Sequence, residues 1–157
     1  MINYSEQVFN QLVLYDYKIA FAESVTGGAL VSNFVLNPSA SNLLSYSVVT
    51  YSIDAKHQHL GIPMMLFDIH GVVSNVIAIE MARNIRTIAK SDIGIGITGN
   101  AGPTAQENAQ VGEIWVAIDY LGEVFSYHMQ MKKASRAEVI EQAVRIVYQM
   151  LSQLLKK

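Results

Sequence analysis

Cysteine is absent from the 157 residues, which excludes disulfides, thiol nucleophiles and thiolate metal sites. Charge is scarce as well. Asp, Glu, Lys and Arg make up 15% of the chain, against about a quarter in an average domain. The net charge is −2 and no basic block occurs, so nucleic-acid binding lacks its electrostatic footprint. No apolar run reaches the roughly 20 residues that span a membrane. The opening Met1-Ile2-Asn3-Tyr4-Ser5-Glu6 has neither the basic region nor the apolar core of a signal peptide, so the expected compartment is the cytoplasm. The three prolines, Pro38, Pro63 and Pro103, fall at turn sequences and mark no linker.

Hydrophobic residues are plentiful, at 51%, which suits one domain with an extensive core and a subunit interface. Val8, Phe9, Leu12 and Val13 recur at helical spacing and predict a helix over residues 4–16. A short buried strand is expected at 18–22 and a second helix at 26–36. The β-branched and aromatic stretch 44–51 predicts another strand, ending before a short helix capped by Ser52 or Asp54. Met64–Ile69 is ambiguous, and Ser74 caps a long helix through Ala89. Residues 92–98 alternate isoleucine with glycine, so that something can approach the glycine face closely. Strands at 111–119 and 123–131 read as a hairpin, and Ser135-Arg136-Ala137-Glu138 has the spacing of a capping box before a final helix. Helices alternating with strands, plus one hairpin, predict a three-layer α/β/α sandwich on a mixed, mostly parallel sheet.

The most informative stretch is Ala22-Glu23-Ser24-Val25-Thr26-Gly27-Gly28, where a buried strand gives way to a helix start. Such a turn sets backbone N–H groups and a helix dipole beside a serine hydroxyl. Two glycines let a ligand come close to the backbone. Nucleophile, anion site and simple helix cap by Ser24 or Thr26 are all compatible with it. No Gly-Lys-Ser/Thr follows, so it is not a P-loop, and the dinucleotide Gly-x-Gly-x-x-Gly is missing too.

Other candidates surround it. Lys56 lies just past a strand end, where open α/β sheets gather ligands. Arg136 sits in the first turn of the last helix, where a cation opposes the dipole, a hint of an anionic ligand. Thr98-Gly99-Asn100-Ala101-Gly102-Pro103 closes another buried strand with a glycine-bearing loop, a second wall for a site opened by Ser24. His57 and His59, two apart on a helix, point to opposite sides, while His70 and His128 stand alone, so no metal or other cofactor is expected.

Together these stretches resemble the CinA C-terminal domain family. Its Ala-Glu-Ser-x-Thr-Gly-Gly is met by residues 22–28 and its Val-x-Tyr-Ser-Asn-Glu-Ala-Lys by residues 49–56. His-Gly-x-Val-Ser is found at 70–74, and Thr-Gly-x-Ala-Gly-Pro at 98–103. The strand Val111-Gly112-Glu113-Ile114-Trp115-Val116-Ala117 is similar to a further family segment. The chain departs from the pattern at Ile53 and Asp54 (usually Asn-Glu), at Tyr46-Ser47 (usually small glycines) and at Asn100 (more often isoleucine). It departs again at Thr104-Ala105-Gln106-Glu107-Asn108, where Gly-Gly is usual. These changes bear on substrate fit more than on fold.

The resemblance implies a stand-alone domain that deamidates nicotinamide mononucleotide to nicotinic acid mononucleotide and ammonia. It implies Ser24 as nucleophile and Tyr51 and Lys56 as its polar partners. Lys56 takes the serine proton directly or through Tyr51. Thr26, Gly27 and Gly28 offer N–H groups to an oxyanion or a phosphate. Thr98 and Gly99 wall the nucleotide, and Arg136 is the candidate for its phosphate. A homodimer is implied too, in line with the low charge and the broad apolar stripe of the last helix (Val139, Ala143, Ile146, Val147, Met150, Leu151, Leu154). A second reading keeps the fold but makes the protein a nucleotide-binding or interaction module without catalysis.

Overall fold

A computed structural model describes residues 1–106, 109–132 and 134–156. Its centre is a five-stranded sheet in the order β2-β1-β3-β4-β5. The strands are β1 (Ile19–Glu23), β2 (Leu44–Val49), β3 (Ile93–Gly99), β4 (Glu113–Tyr120) and β5 (Glu123–Gln130). β2, β1 and β3 are mutually parallel, while β4 runs against both β3 and β5. Four strands therefore share one direction, and β4–β5 is the expected hairpin.

Side-chain alternation along the strands distributes two helical layers. Phe21, Ile93, Ile95 and Ile97 join a core with α1 (Tyr4–Tyr15), α2 (Ala29–Phe34) and α6 (Arg136–Leu154). Ala20 and Ala22 face the other way, toward α3 (Ile53–Leu60), α4 (Met64–His70) and α5 (Asn75–Ala89). The sequence expectation of an α/β/α sandwich is met, and the ambiguous stretch after Pro63 is α4.

The glycines of β3 answer what approaches them. A Cβ on Gly94 would lie 2.2 Å from the Ala82 carbonyl oxygen, and one on Gly96 would lie 2.4 Å from that of Ala78. Helix α5, not a ligand, occupies that face. Small residues on both sides, Ala78 and Ala82 against Gly94 and Gly96, bring helix and sheet backbones together.

Three of the predicted caps form. Ser52 accepts from the Ala55 N–H, Ser74 from the Ile77 N–H, and Ser135 and Glu138 make a full capping box. Most of the α6 stripe is spent inside the molecule, since Val139, Ala143, Val147, Leu151 and Leu154 are buried in the core. Ile146 and Met150 of the same stripe are half-buried against that core. The second helix is shorter than 26–36, because Gly27 (φ 58°) and Gly28 (φ 101°) take left-handed backbone that interrupts helical dihedrals.

From β1 the chain crosses through α2 to β2 on one side, then through α3, α4 and α5 to β3 on the other. The strand order thus reverses at β1. Open α/β sheets bind ligands at such a switch point, outside the carboxyl ends of the strands. Among the described residues no helix is long and apolar enough to cross a membrane.

Candidate active site

Three segments leave the carboxyl ends of β1, β2 and β3 and meet at the switch point: Ser24–Gly28, Thr50–Ser52 and Asn100–Gly102. The Thr50 N–H donates to the Glu23 carbonyl at 2.8 Å and ties the first two together. Between them lies a cleft of about 80 Å³ that Ser24, Tyr51, Lys56, Thr98, Gly99 and Arg136 all line. The structure therefore brings these six candidates into one place.

At its base, Lys56 Nζ donates to Ser24 Oγ at 2.9 Å and to the Thr50 carbonyl at 2.8 Å. Lys56 has no exposed surface and Ser24 only 7%. Among the described residues no carboxylate bonds the amine, and its removal from water disfavours the charged form. Burial accordingly lowers the Lys56 pKa from 10.5 to about 8. One turn of α3, started by the Ser52 cap, is what aims this side chain back under β1.

Tyr51 stands at the rim, 60% exposed. Its hydroxyl accepts from Arg136 Nη2 at 2.7 Å, while Arg136 Nη1 donates to the Gly102 carbonyl at 2.7 Å. Arg136 thus reaches from α6 to both other walls. A relay from Ser24 to Lys56 through Tyr51 is not what the geometry presents: Lys56 touches the serine directly, and Tyr51 is paired with the arginine.

The turn after Ser24 is held by a residue that carried no expectation of its own. Glu23 is fully buried. One carboxylate oxygen accepts from Thr26 Oγ1 at 2.6 Å and from the Leu30 N–H at 2.8 Å, and the other accepts from the Val31 N–H at 3.0 Å. Glu23 therefore does the capping expected of Ser24 or Thr26, and the α2 N-cap, Gly28, has no side-chain bond. A carboxylate already satisfies the positive end of α2, so that end is taken as an anion site. The signal in the sequence was an acidic residue ending an otherwise apolar strand, just before a helix start.

The Gly27 and Ala29 N–H groups are also engaged, with the carbonyls of Ser24 and Thr26. Those of Val25, Thr26 and Gly28 have no acceptor among the described residues, and Val25 lines the cleft. Thr98 Oγ1 turns away to donate to the Val72 carbonyl at 2.9 Å, fixing the α4–α5 connection as a wall.

Asn100, one of the departures, knits the third wall. Its Oδ1 accepts from the Gly102 N–H at 2.9 Å, and its Nδ2 donates to the Thr104 carbonyl at 3.0 Å. Its backbone bonds with Glu113 and Gly112. Of the stretch lacking Gly-Gly, Glu107 and Asn108 lie outside the described residues. His57 Nδ1 is 2.8 Å from the Ile62 carbonyl oxygen, and His70 is exposed. No group of three or more His, Asp or Glu could hold a metal ion among the described residues.

Known proteins place this arrangement. A family profile described as the CinA C-terminal domain matches residues 2–155. A competence-damage inducible protein of Lysinibacillus sphaericus is 37% identical over 139 residues, 86% of this chain and 33% of that protein. One from Streptococcus pyogenes serotype M3 is 33% identical over 153 residues, 98% of this chain and 36% of the relative. The chain thus spans about a third of the length of these relatives. Among solved structures, a CinA superfamily protein from Klebsiella pneumoniae superposes with a TM-score of 0.95 at 28% identity, covering 99% of both chains. The competence/damage inducible protein CihA from Agrobacterium tumefaciens gives 0.91 at 25%, covering 100% of this chain and 98% of its own. With sequence profile, relatives and fold in agreement, this chain belongs to the CinA C-terminal domain family.

Proposed function

We propose that the protein is a metal-independent amidohydrolase that releases ammonia from nicotinamide mononucleotide, with Ser24 as nucleophile. The observation that carries this reading is the buried Lys56 Nζ, 2.9 Å from Ser24 Oγ, with its pKa lowered to about 8. A serine hydroxyl attacks an amide only when a nearby base takes its proton. A buried lysine near neutrality is such a base.

The steps follow from the contacts. Neutral Lys56 accepts the Ser24 proton as Oγ attacks the carboxamide carbon. The carbonyl oxygen gains negative charge, and the N–H of Val25, a residue of the cleft wall without an acceptor among the described residues, is the donor we assign to it. As the tetrahedral centre collapses, the Lys56 ammonium returns the proton to the departing nitrogen, which leaves as ammonia. The acyl group remains as an ester on Ser24. Water then attacks that ester with Lys56 again as base, freeing the carboxylic acid and restoring Ser24. The Thr50 carbonyl holds Nζ in position through both halves. Since Glu23 occupies the start of α2, the nucleotide phosphate goes to Arg136, the cation at the rim, and not to the Gly27-Gly28 turn.

Ammonia release from nicotinamide mononucleotide by purified protein tests the reading. Release is expected, unaffected by a chelator, and Ser24→Ala is expected to abolish it. Protein that binds the nucleotide without releasing ammonia would instead be a binding module on this fold.

A further inference from the structure

Asn100 is only 3% exposed, and each of its polar groups has a partner. Its backbone N–H donates to the Glu113 carbonyl at 2.8 Å, and its own carbonyl accepts from the Gly112 N–H at 2.7 Å. Those two bonds fix the residue just past β3 without help from its side chain. The carboxamide serves the loop instead. Nδ2 faces the carbonyls of Thr104 and Ala109, at 3.0 and 3.5 Å, and Oδ1 accepts from the Gly102 N–H at 2.9 Å. The surroundings dictate this orientation, because the flipped amide would set Oδ1 against two carbonyl oxygens.

Gly102 passes this restraint on to the cleft. Its N–H is held by Asn100, while its carbonyl accepts from Arg136 Nη1 at 2.7 Å. A Cβ on Gly102 would lie 2.6 Å from Val111 Cγ1, so the residue is confined between Asn100 and Val111. Arg136 Nη2 donates in turn to the Tyr51 hydroxyl at 2.7 Å. Three hydrogen bonds thus run from Asn100 through Gly102 and Arg136 to the rim. The guanidinium spends two of its five N–H groups on them, which leaves three for an anion. An arginine already held gives up less rotamer freedom on binding than a free one does.

We propose that Asn100 is a positioning residue: by holding the Gly102 peptide, it presents the carbonyl that pre-sets Arg136 for the phosphate of the substrate. Its own polar atoms are already engaged, so it acts through Arg136. It therefore governs affinity for a phosphorylated ligand and leaves the chemical step at Ser24 and Lys56 alone. This deepens the amidohydrolase reading and rests on it for the reaction, though not for nucleotide binding.

Asn100→Leu keeps the bulk and removes the side-chain bonds, whereas Asn100→Asp keeps an acceptor for the Gly102 N–H. In Asn100→Leu, KM for nicotinamide mononucleotide is expected to rise about fivefold to tenfold, the weight of one hydrogen bond. Its kcat, and its KM for nicotinamide riboside, are expected to stay within about twofold of the wild type. Asn100→Asp should lie closer to the wild type than Asn100→Leu does. Added to Arg136→Met, Asn100→Leu is expected to raise KM no further, since the residue it acts through is gone. Should Asn100→Leu fail to fold, Asn100→Ser, too short to span the loop, carries the same expectations. Wild-type KM in the variant, equal effects on both substrates, or additivity with Arg136→Met overturns the proposal, while ammonia release still upholds the amidohydrolase reading. Calorimetry with nicotinamide mononucleotide on Ser24→Ala needs no turnover. If the wild type releases no ammonia but Asn100→Leu weakens that binding about fivefold or more, the positioning role stands and the amidohydrolase reading falls. Neither ammonia release nor nucleotide binding overturns both.

Discussion

Lys56 Nζ lies 2.9 Å from Ser24 Oγ although 32 positions separate the two residues in the chain. Nothing in either local sequence obliges them to meet. β1 and β2 are neighbouring parallel strands, and each delivers one member of the pair from its carboxyl end. The pair has an amine donor and a hydroxyl, and no carboxylate or imidazole between them.

That relationship sets the pH dependence of the proposed reaction. With a pKa of about 8, roughly a tenth of Lys56 is neutral at pH 7. Turnover at low substrate is expected to rise about tenfold between pH 7 and a plateau above pH 9. Lys56→Arg and Lys56→Met are both expected to lose at least about a hundredfold in turnover, because a guanidinium stays protonated and a thioether accepts nothing. Near-normal turnover in Lys56→Arg would leave the lysine a mere charge. Rates of ammonia release across pH 6 to 10 decide it.

The same burial carries a stability cost with a definite sign. A lysine of pKa about 8 when folded and 10.5 when unfolded leaves the unfolded chain with more bound protons between those values. Stability therefore gains from this group as pH rises from about 8 to 10.5, and the penalty is full below pH 8. The span amounts to about 3 kcal/mol. Relative to Lys56→Met, the wild type is expected to gain that much between pH 7 and 10.5. Urea unfolding of both proteins at several pH values measures the difference, and a flat difference would refute it.

Glu23 is expected to be indispensable for the turn. In Glu23→Ala the buried N–H groups of Leu30 and Val31 and the Thr26 hydroxyl lose their acceptor. A loss on the order of 3 kcal/mol follows if even part of that desolvation is uncompensated. Glu23→Gln keeps one acceptor oxygen and should fall between the two. Thermal unfolding ranks the three proteins, and equal midpoints would contradict the capping role.

Arg136 bonds Tyr51 and the Gly102 carbonyl and is the proposed phosphate partner. Arg136→Met is expected to raise KM for nicotinamide mononucleotide tenfold or more, as one charge-assisted contact is lost. Nicotinamide riboside, which lacks the phosphate, should be indifferent to the change. An equal effect on both substrates would move the phosphate elsewhere.

Homodimerisation remains a proposal, on grounds other than the α6 stripe. Val13, Leu14, Val35 and Leu36 are large apolar side chains more than half exposed at the ends of α1 and α2. Exposed apolar surface of this kind marks an interface. Light scattering at micromolar concentration is expected to give twice the 17.3 kDa chain mass. A species of 17.3 kDa alone would count against it.

The sequence by itself determined the elements and their order, apart from α4, which its apolar run left ambiguous. Hydrophobic periodicity and capping residues are local, so Ser52, Ser74 and Ser135 could be read as helix starts from a few neighbours. The motif residues of the site were legible as well, as polar groups standing just past apolar strands. Partnership was not, because it depends on strand order and on distances between remote segments. Only the tertiary structure decided that Tyr51 belongs with Arg136 and that Glu23 secures the serine turn. It also decided that α5 packs onto the glycines of β3 and that the α6 stripe is covered from within. The lowered pKa of Lys56 belongs here too, since burial is a property of everything packed around a side chain and is written at no single position.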